Sequence, residues 1–338
     1  MLWLSGRGVA HAAVGALLPS GPSPAPRARV VIVHDPQATR TFEPDSARVR
    51  EMVNRAVTTL TGQPDAAAAW RSVVGTQDVV GIKVMASLGP VGGTRPAVVG
   101  AVIEGLLEAG VPARQIVVWD KNLEDLRRSG FEALSARYGV RLAGSVAAGY
   151  DEAAYYDTPL LGGLVWGDLE FGKKGEGVGR RSYVSRLVTR ELTKIVSVTP
   201  LVTHPQTGVC GALHNLALGA VDNTLRFEGQ ADRLAQAVPE ICALPALADH
   251  MVLHLVDALL CQYQGHQRGL LHYSTVLNEI RASRDPVALD VVSLEELARQ
   301  RKAHGVAGGP ARSELYDNAA LLELGVSDPE RIQIVRLR

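Results

Sequence analysis

From Ala28 onward, short apolar runs alternate with longer stretches in which apolar residues return every three or four positions. "ARVVIVHD" (28–35) is a β-branched run closed by polar residues, the pattern of a buried strand. "SARVREMVNRAVTTLTG" (46–62) opens on a good helix cap, carries apolar residues at helical spacing and stops at glycine, which predicts a helix. "DVVGIKVM" (78–85) and "QIVVWD" (115–120) repeat the strand pattern, and "PAVVGAVIEGLLEAGV" (96–111) between them opens on proline and predicts a helix. A helix over "LEDLRRSGFEALSARYG" follows. "TKIVSVTP" (193–200) predicts a fourth strand, and "HMVLHLVDALL" predicts one that ends near Asp257. "LNEIRAS" and "RIQIVRLR" predict the last two. Uninterrupted apolar strands alternating with amphipathic helices predict an α/β fold, a mainly parallel central sheet with helices on both faces. No fixed-period repeat is visible, so residues 28–338 form a single α/β domain in this reading. The stretch 147–178, rich in Gly, Tyr and Asp, fits neither pattern and predicts an irregular excursion or lid.

Composition narrows the function classes. The chain has 338 residues, 46% of them hydrophobic and 21% charged, with a formal net charge of zero. That is a globular composition without the basic bias of a nucleic-acid binder and without a charged tail. Cys210, Cys242 and Cys261 are odd in number and widely spaced, so they make no disulfide framework and no four-cysteine iron–sulfur cluster is expected. The N-terminal run is too short to span a bilayer, no other stretch is uniformly apolar over about 18 residues, and no integral membrane segment is expected. Residues 1–27 stand apart. "GVAHAAVGALL" followed by "PSGPSPAPRA" has the order of a secretory signal's end, but Arg7 is the sole basic residue before it. Two readings stand, an export signal truncated by a late start codon or a disordered leader, and the location is correspondingly exported or cytoplasmic.

In such sheets ligands bind at the carboxyl ends of the strands. Lys83, Asp120, His204, Asp257 and Asp285 fall at or just after predicted strand ends on five segments, and are taken as one site. "THPQTGVCGALHNLALG" (203–219) carries the richest chemistry, with two histidines, a cysteine, an asparagine and several small residues. Gly208 and Gly211, at a predicted helix start, allow close approach of a ligand, and unpaired N–H groups there suit an anion. His204, Lys83 and Asp120 are the catalytic candidates, because a histidine exchanges protons near neutral pH. Gly208, Gly211, His214 and Asn215 are the cofactor-binding candidates. His204, His214, Cys210 and Asp257 are candidate ligands for a divalent metal, although their spacing matches no common zinc motif. The plain alternatives are a core cysteine at 210 and a satisfied helix histidine at 214. The Gly-rich, basic "FGKKGEGVGRR" (171–181) is either a phosphate-gripping loop or a solvated one, and matches no Walker pattern. His266, Arg268 and His272 are further loop candidates. Asp285, beside Asp290 in "DPVALD", is foremost a helix cap.

"VVGIKV", "AVIEGLLEAGVPARQIVVWD", "THPQTGVCGALHNLALGAVDNTLRF", "VLHLVDAL" and "SRDPVALDVVSLEELARQR", in that order, resemble the domain-of-unknown-function 362 family over nearly everything from residue 28. The resemblance implies a widespread, often exported family whose reaction is not generally established. Some members carry ferredoxin-like iron–sulfur modules, whose cysteines this chain lacks. Two departures stand out. Met85 replaces the family's usual asparagine, and His214 stands where a lysine is usual. The same segment is distantly similar to the lactate racemase family, in which a nickel-pincer cofactor is attached to a lysine ten residues after a catalytic histidine. His204 and His214 keep that interval, which implies an acid/base role for His204. Imidazole cannot form the thioamide linkage, so His214 would ligate a metal directly instead. The function expected is an enzyme, an isomerase or oxidoreductase, that acts on a small anionic molecule by histidine acid/base chemistry, with or without a metal. The alternative is a non-catalytic metal- or ligand-binding protein. The partner in either case is a small molecule, and the oligomeric state is not legible.

Overall fold

The computed structural model describes residues 28–265, 268–308 and 314–338. Eight strands form the central sheet: β1 (Ala28–His34), β2 (Val80–Val84), β3 (Ile116–Asp120), β4 (Arg141–Gly144), β5 (Lys194–His204), β6 (Met251–Gln262), β7 (Ser274–Ser283) and β8 (Ile332–Leu337). Their spatial order is β8-β1-β7-β6-β5-β2-β3-β4, and a short strand, Gly208–Val209, folds back on the end of β5. All neighbouring pairs are parallel except the two that β7 makes, with β1 and β6. The mainly parallel sheet expected from the sequence is therefore present, with "LNEIRAS" the one reversed strand.

The strands read as continuous apolar runs because both faces are covered. Along β1, Val30 and Ile32 join one core cluster while Val31 and Val33 join the other. Along β3, Val117 and Trp119 face the first and Ile116 and Val118 the second. Five helices matter here: α1 (Ser46–Thr61), α2 (Pro96–Glu108), α3 (Ala212–Ala220), α4 (Ala231–Cys242) and α5 (Pro286–Ala303). Helices α1 and α2 cover one face, and α3, α4 and α5 the other. The cap of α1 is Asp45, one residue before the predicted opening, and its carboxylate accepts from the amides of Ala47 and Arg48. No helix among the described residues is long and apolar enough to cross a membrane. The leader 1–27, with its two readings, lies outside the described residues.

Two strands run further than predicted. Pro200 reads as a terminator, yet β5 continues to His204. Pro200 has no N–H to give, and it pairs with Asp257 where β6 bulges. The register then jumps, so that Leu201 faces Cys261. The bulge absorbs the missing donor and lets both strands go on. As a result Asp257 lies within β6 instead of at its end, and His204 is the last residue of a strand instead of a loop residue.

The excursion is more ordered than expected. Tyr150–Asp157 and Arg181–Ser185 pair as a two-stranded antiparallel sheet, and the irregular chain lies between them. Buried Arg226 holds that segment by donating to the carbonyls of Tyr156, Thr158, Leu160 and Arg180, and to the hydroxyls of Thr158 and Ser182. Asp168 and Asp222 each accept two backbone amides across the same junction.

The topology also fixes where a site belongs. From β2 the chain moves outward to β3 and β4, then returns to place β5 on the other side of β2 and continues to β6. The winding direction changes between β2 and β5, and their carboxyl ends open a crevice there.

Candidate functional site

Lys83 is the penultimate residue of β2 and its side chain is fully buried. Its ammonium donates at 2.7 Å to each of three acceptors: the Val84 carbonyl, Asp120 Oδ1 and Asn215 Oδ1. Asp120, ending β3, also accepts from the amides of Ala86 (2.7 Å, on Oδ2) and Lys121 (2.8 Å, on Oδ1). Burial pulls the Lys83 pKa down while the Asp120 carboxylate opposes that shift. An ammonium has three protons, and all three are used. Lys83 therefore fixes its neighbours and keeps no donor for a ligand. Helix α3 comes close enough for this only because residue 219 is glycine. A Cβ at Gly219 would stand 2.1 Å from Lys83 Cε.

Helix α3 brings His214 and Asn215 to the crevice. Leu213, Leu216, Ala217 and Ala220 turn to the core, leaving 214, 215, 218 and 219 as a stripe along the open side. His214 is 4% exposed, and neither ring nitrogen has a hydrogen-bond partner. Burial, with the nearby His204 and Lys83 adding to it, holds its pKa well below the usual histidine value. The imidazole is neutral at neutral pH. The His204 ring lies against it, with centroids 4.5 Å apart and planes inclined at 47°. His204 Nδ1 accepts from the amides of Gln206 (3.2 Å) and Thr207 (3.1 Å). In the neutral ring the proton is thereby on Nε2.

Two cavities flank this pair. One, of about 160 Å³, is lined by Lys83, Asp120, Lys121, His214 and Asn215 among others. The second, of about 150 Å³, is lined by His204, Pro205, Gln206 and Leu234, and both share His214, Leu218 and Glu228. A larger, open groove along the edge strand β4, lined by Arg114, Arg127 and Arg141, shares none of these residues.

The structure thus gathers Lys83, Asp120, His204, His214 and Asn215 at one crevice. It does not gather the rest of the predicted set. Asp257 is consumed by Arg95, with its carboxylate at 2.9 Å from the guanidinium and 3.0 Å from the Arg95 amide. Cys210 is fully buried, packs with Met85 and Val202, and lines neither cavity. Among the described residues no group of three or more histidine, cysteine, aspartate or glutamate side chains is placed to hold a metal ion. The four-ligand set of His204, His214, Cys210 and Asp257 does not fit a metal, because the bulge gives Asp257 to Arg95 and the core takes Cys210.

The expected anion site at the start of α3 is also filled from within. Asp290, reaching across from α5, accepts from the amides of Ala212 (2.8 Å) and Leu213 (3.2 Å). Gly211 is required for that approach, since a Cβ there would lie 2.2 Å from the Asp290 carboxyl carbon. Gly208 adopts a left-handed φ of 81° in the turn that pairs it with His204. Neither glycine lines either of the two cavities beside the histidine pair, and both serve the local backbone geometry. Asp285 caps α5 through the Ala288 amide, as the sequence suggests. The loop 171–177 is exposed, Arg268 and His272 are exposed, and none of them reaches the cavities. His266 lies outside the described residues.

Sequence reading missed Lys121 and gave Asp290 no role of its own. The signal for Lys121 is its position directly after Asp120 at the end of β3. The signal for Asp290 is an acidic residue on the buried face of an otherwise apolar helix segment.

Comparison with known proteins adds three findings. No functionally curated protein matches the chain, the lactate racemases included. A crystal structure of a Thermotoga maritima protein, solved by a structural genomics consortium, is similar at 12% identity and a TM-score of 0.39. That match covers 78% of this chain and 59% of the Thermotoga chain, so the present chain spans about three-fifths of its length. The model of the domain-of-unknown-function 362 family matches residues 80–295, well over half of the chain and every strand and helix that builds the crevice. The chain belongs to the domain-of-unknown-function 362 family.

Proposed function

We propose that the chain is an enzyme that moves a proton on a small anionic molecule, with His214 as the base and His204 as its acid/base partner. One observation carries the reading: His214 is buried, neutral and without a partner on either ring nitrogen, between two cavities and against a second histidine. A buried polar atom left unpaired costs about 1–3 kcal/mol, and such groups are ordinarily satisfied. An imidazole kept in that state at the switch point of a parallel sheet is poised to take a proton from a ligand. The fixed charge of Lys83 beside it favours negative charge developing on that ligand. Lys83 and Asp120 act as positioning residues in this account, because their polar atoms are already bonded to each other and to the backbone.

The test is hydrogen exchange in D2O. Purified protein is incubated with small carboxylic acids bearing a C–H beside the carboxylate, and loss of that proton signal is followed by NMR. Exchange is expected with the unaltered chain. It should fall by about 10²–10⁴-fold in His214→Gln and His204→Gln, with melting temperatures little changed. Binding without exchange would make the chain a ligand-binding protein and sink the catalytic reading.

A further inference from the structure

Lys121, which the sequence does not single out, has the opposite hydrogen-bond state to Lys83. Its side chain lines the same cavity of about 160 Å³, half-buried, and its ammonium makes one hydrogen bond, to Thr224 Oγ1 at 2.9 Å. Among the described residues no carboxylate lies within ion-pairing distance of it. Burial pulls the Lys121 pKa down, opposed by the charges of Glu228 first and then Asp168, Asp222 and Asp120. Of its acidic neighbours all but Glu228 are otherwise occupied. Asp120 takes Lys83 and two amides, Asp125 takes Arg128 and Asn122, and Asp168 and Asp222 take backbone amides. Glu228 is exposed at the rim. Charged groups taken out of water are ordinarily paired, and this one keeps two unused N–H donors.

A second residue that lines the same cavity carries a buried, unpaired donor. Asn215 is 4% exposed, and its Oδ1 accepts from Lys83. An ammonium can only donate, so the amide orientation is fixed by chemistry and Nδ2 must point elsewhere. Nδ2 has no partner. Lys121 and Asn215 thus bring one cation and one neutral donor to a cavity that also presents the unpartnered His214.

We propose that Lys121 and Asn215 Nδ2 together grip the carboxylate of a small organic acid and so hold the rest of that acid against His214. Two converging donor groups match the two oxygens of a carboxylate, whereas a phosphate brings more acceptors than this cavity answers. A cavity of about 160 Å³ is of a size for a small acid. The inference rests on the crevice being the ligand site, as in the function proposed above, and assigns its anchor to Lys121 and not to Lys83.

The experiment is calorimetric titration of the full chain with formate, acetate, glycolate, malonate and succinate, and separately with inorganic phosphate. At least one carboxylate is expected to bind more tightly than phosphate. Lys121→Gln should weaken it about tenfold or more, Lys121→Arg should weaken it less, and the exposed Lys173→Gln should leave it unchanged. In the unaltered protein the Asn215 side-chain amide resonances should shift on adding that acid, a readout that does not depend on any variant folding. Three results overturn the proposal: no carboxylate binds, phosphate binds in preference, or Lys121→Gln binds as the unaltered chain does. Exchange at His214 with no loss in Lys121→Gln would remove the anchor alone. Lys121-dependent binding without exchange would remove the proton-transfer reading alone.

Discussion

Asp290→Asn turns the capping of α3 into a measurable pH dependence. Asp290 is 1% exposed and caps α3 from α5. Burial pushes its carboxyl up to about 7 despite the two amides it accepts, whereas an unperturbed aspartate titrates near 3.8. The folded chain therefore holds a proton between roughly pH 4 and 7 that the unfolded chain has released. Stability from this group is complete below about 4 and is lost as pH rises through about 7. At about 1.4 kcal/mol per unit over about three units, the loss is on the order of 4 kcal/mol. Asparagine carries no titratable proton. It keeps one acceptor for Ala212 and loses the one for Leu213, at about 1 kcal/mol. Urea unfolding followed by circular dichroism should thus find Asp290→Asn less stable than the unaltered chain near pH 4 and more stable by about 3 kcal/mol near pH 8. Asp222, also raised by burial, to about 6, is common to both chains and cancels in the difference. Parallel stability curves, with a constant difference at every pH, would refute the reasoning.

Other perturbations bear on the same framework. Gly219→Ala should destabilise by at least about 3 kcal/mol, because its Cβ evicts the Lys83 ammonium from a buried pair, and the cost should shrink in a Lys83→Ala background measured by the same unfolding assay. Arg226→Ala should speed limited proteolysis between residues 158 and 180 while leaving the central sheet protected from hydrogen exchange. His254, buried against Ser197 and depressed to about 3, contributes stability above pH 6.5 that is lost as pH falls toward 3, about 5 kcal/mol in all. His254→Leu should flatten that acid limb of the melting-temperature profile.

Much of this fold is legible in the sequence because both faces of the sheet are covered. Runs such as "VVIV" in β1 and "IVVW" in β3 must then be apolar at every position, and that leaves a plain signal. Strand ends were less legible. Proline at 200 is locally a terminator, and only the bulge in the neighbouring strand, more than fifty residues away, lets β5 reach His204. Spacing along the chain put His204 and His214 in one site because a strand end and the helix after it are local neighbours. Spacing could not show that Arg95 claims Asp257 or that Asp290 fills the start of α3, since both contacts join segments more than seventy residues apart. Lys83 and Lys121 look equally cationic in sequence. Only a count of acceptors around each ammonium separates a lysine that organises the site from one with donors to spare.

The central claim is that His214 is a neutral, buried imidazole addressed to a ligand. Nitrogen-15 NMR of the histidine rings across a pH series tests it most directly. The His214 nitrogens should keep the shifts of a neutral ring as the pH falls through about 6.5, where an unperturbed histidine protonates, and should move on adding the carboxylate that binds the cavity. A His214 ring that protonates near pH 6.5, as an exposed histidine does, and ignores every added acid would contradict the account.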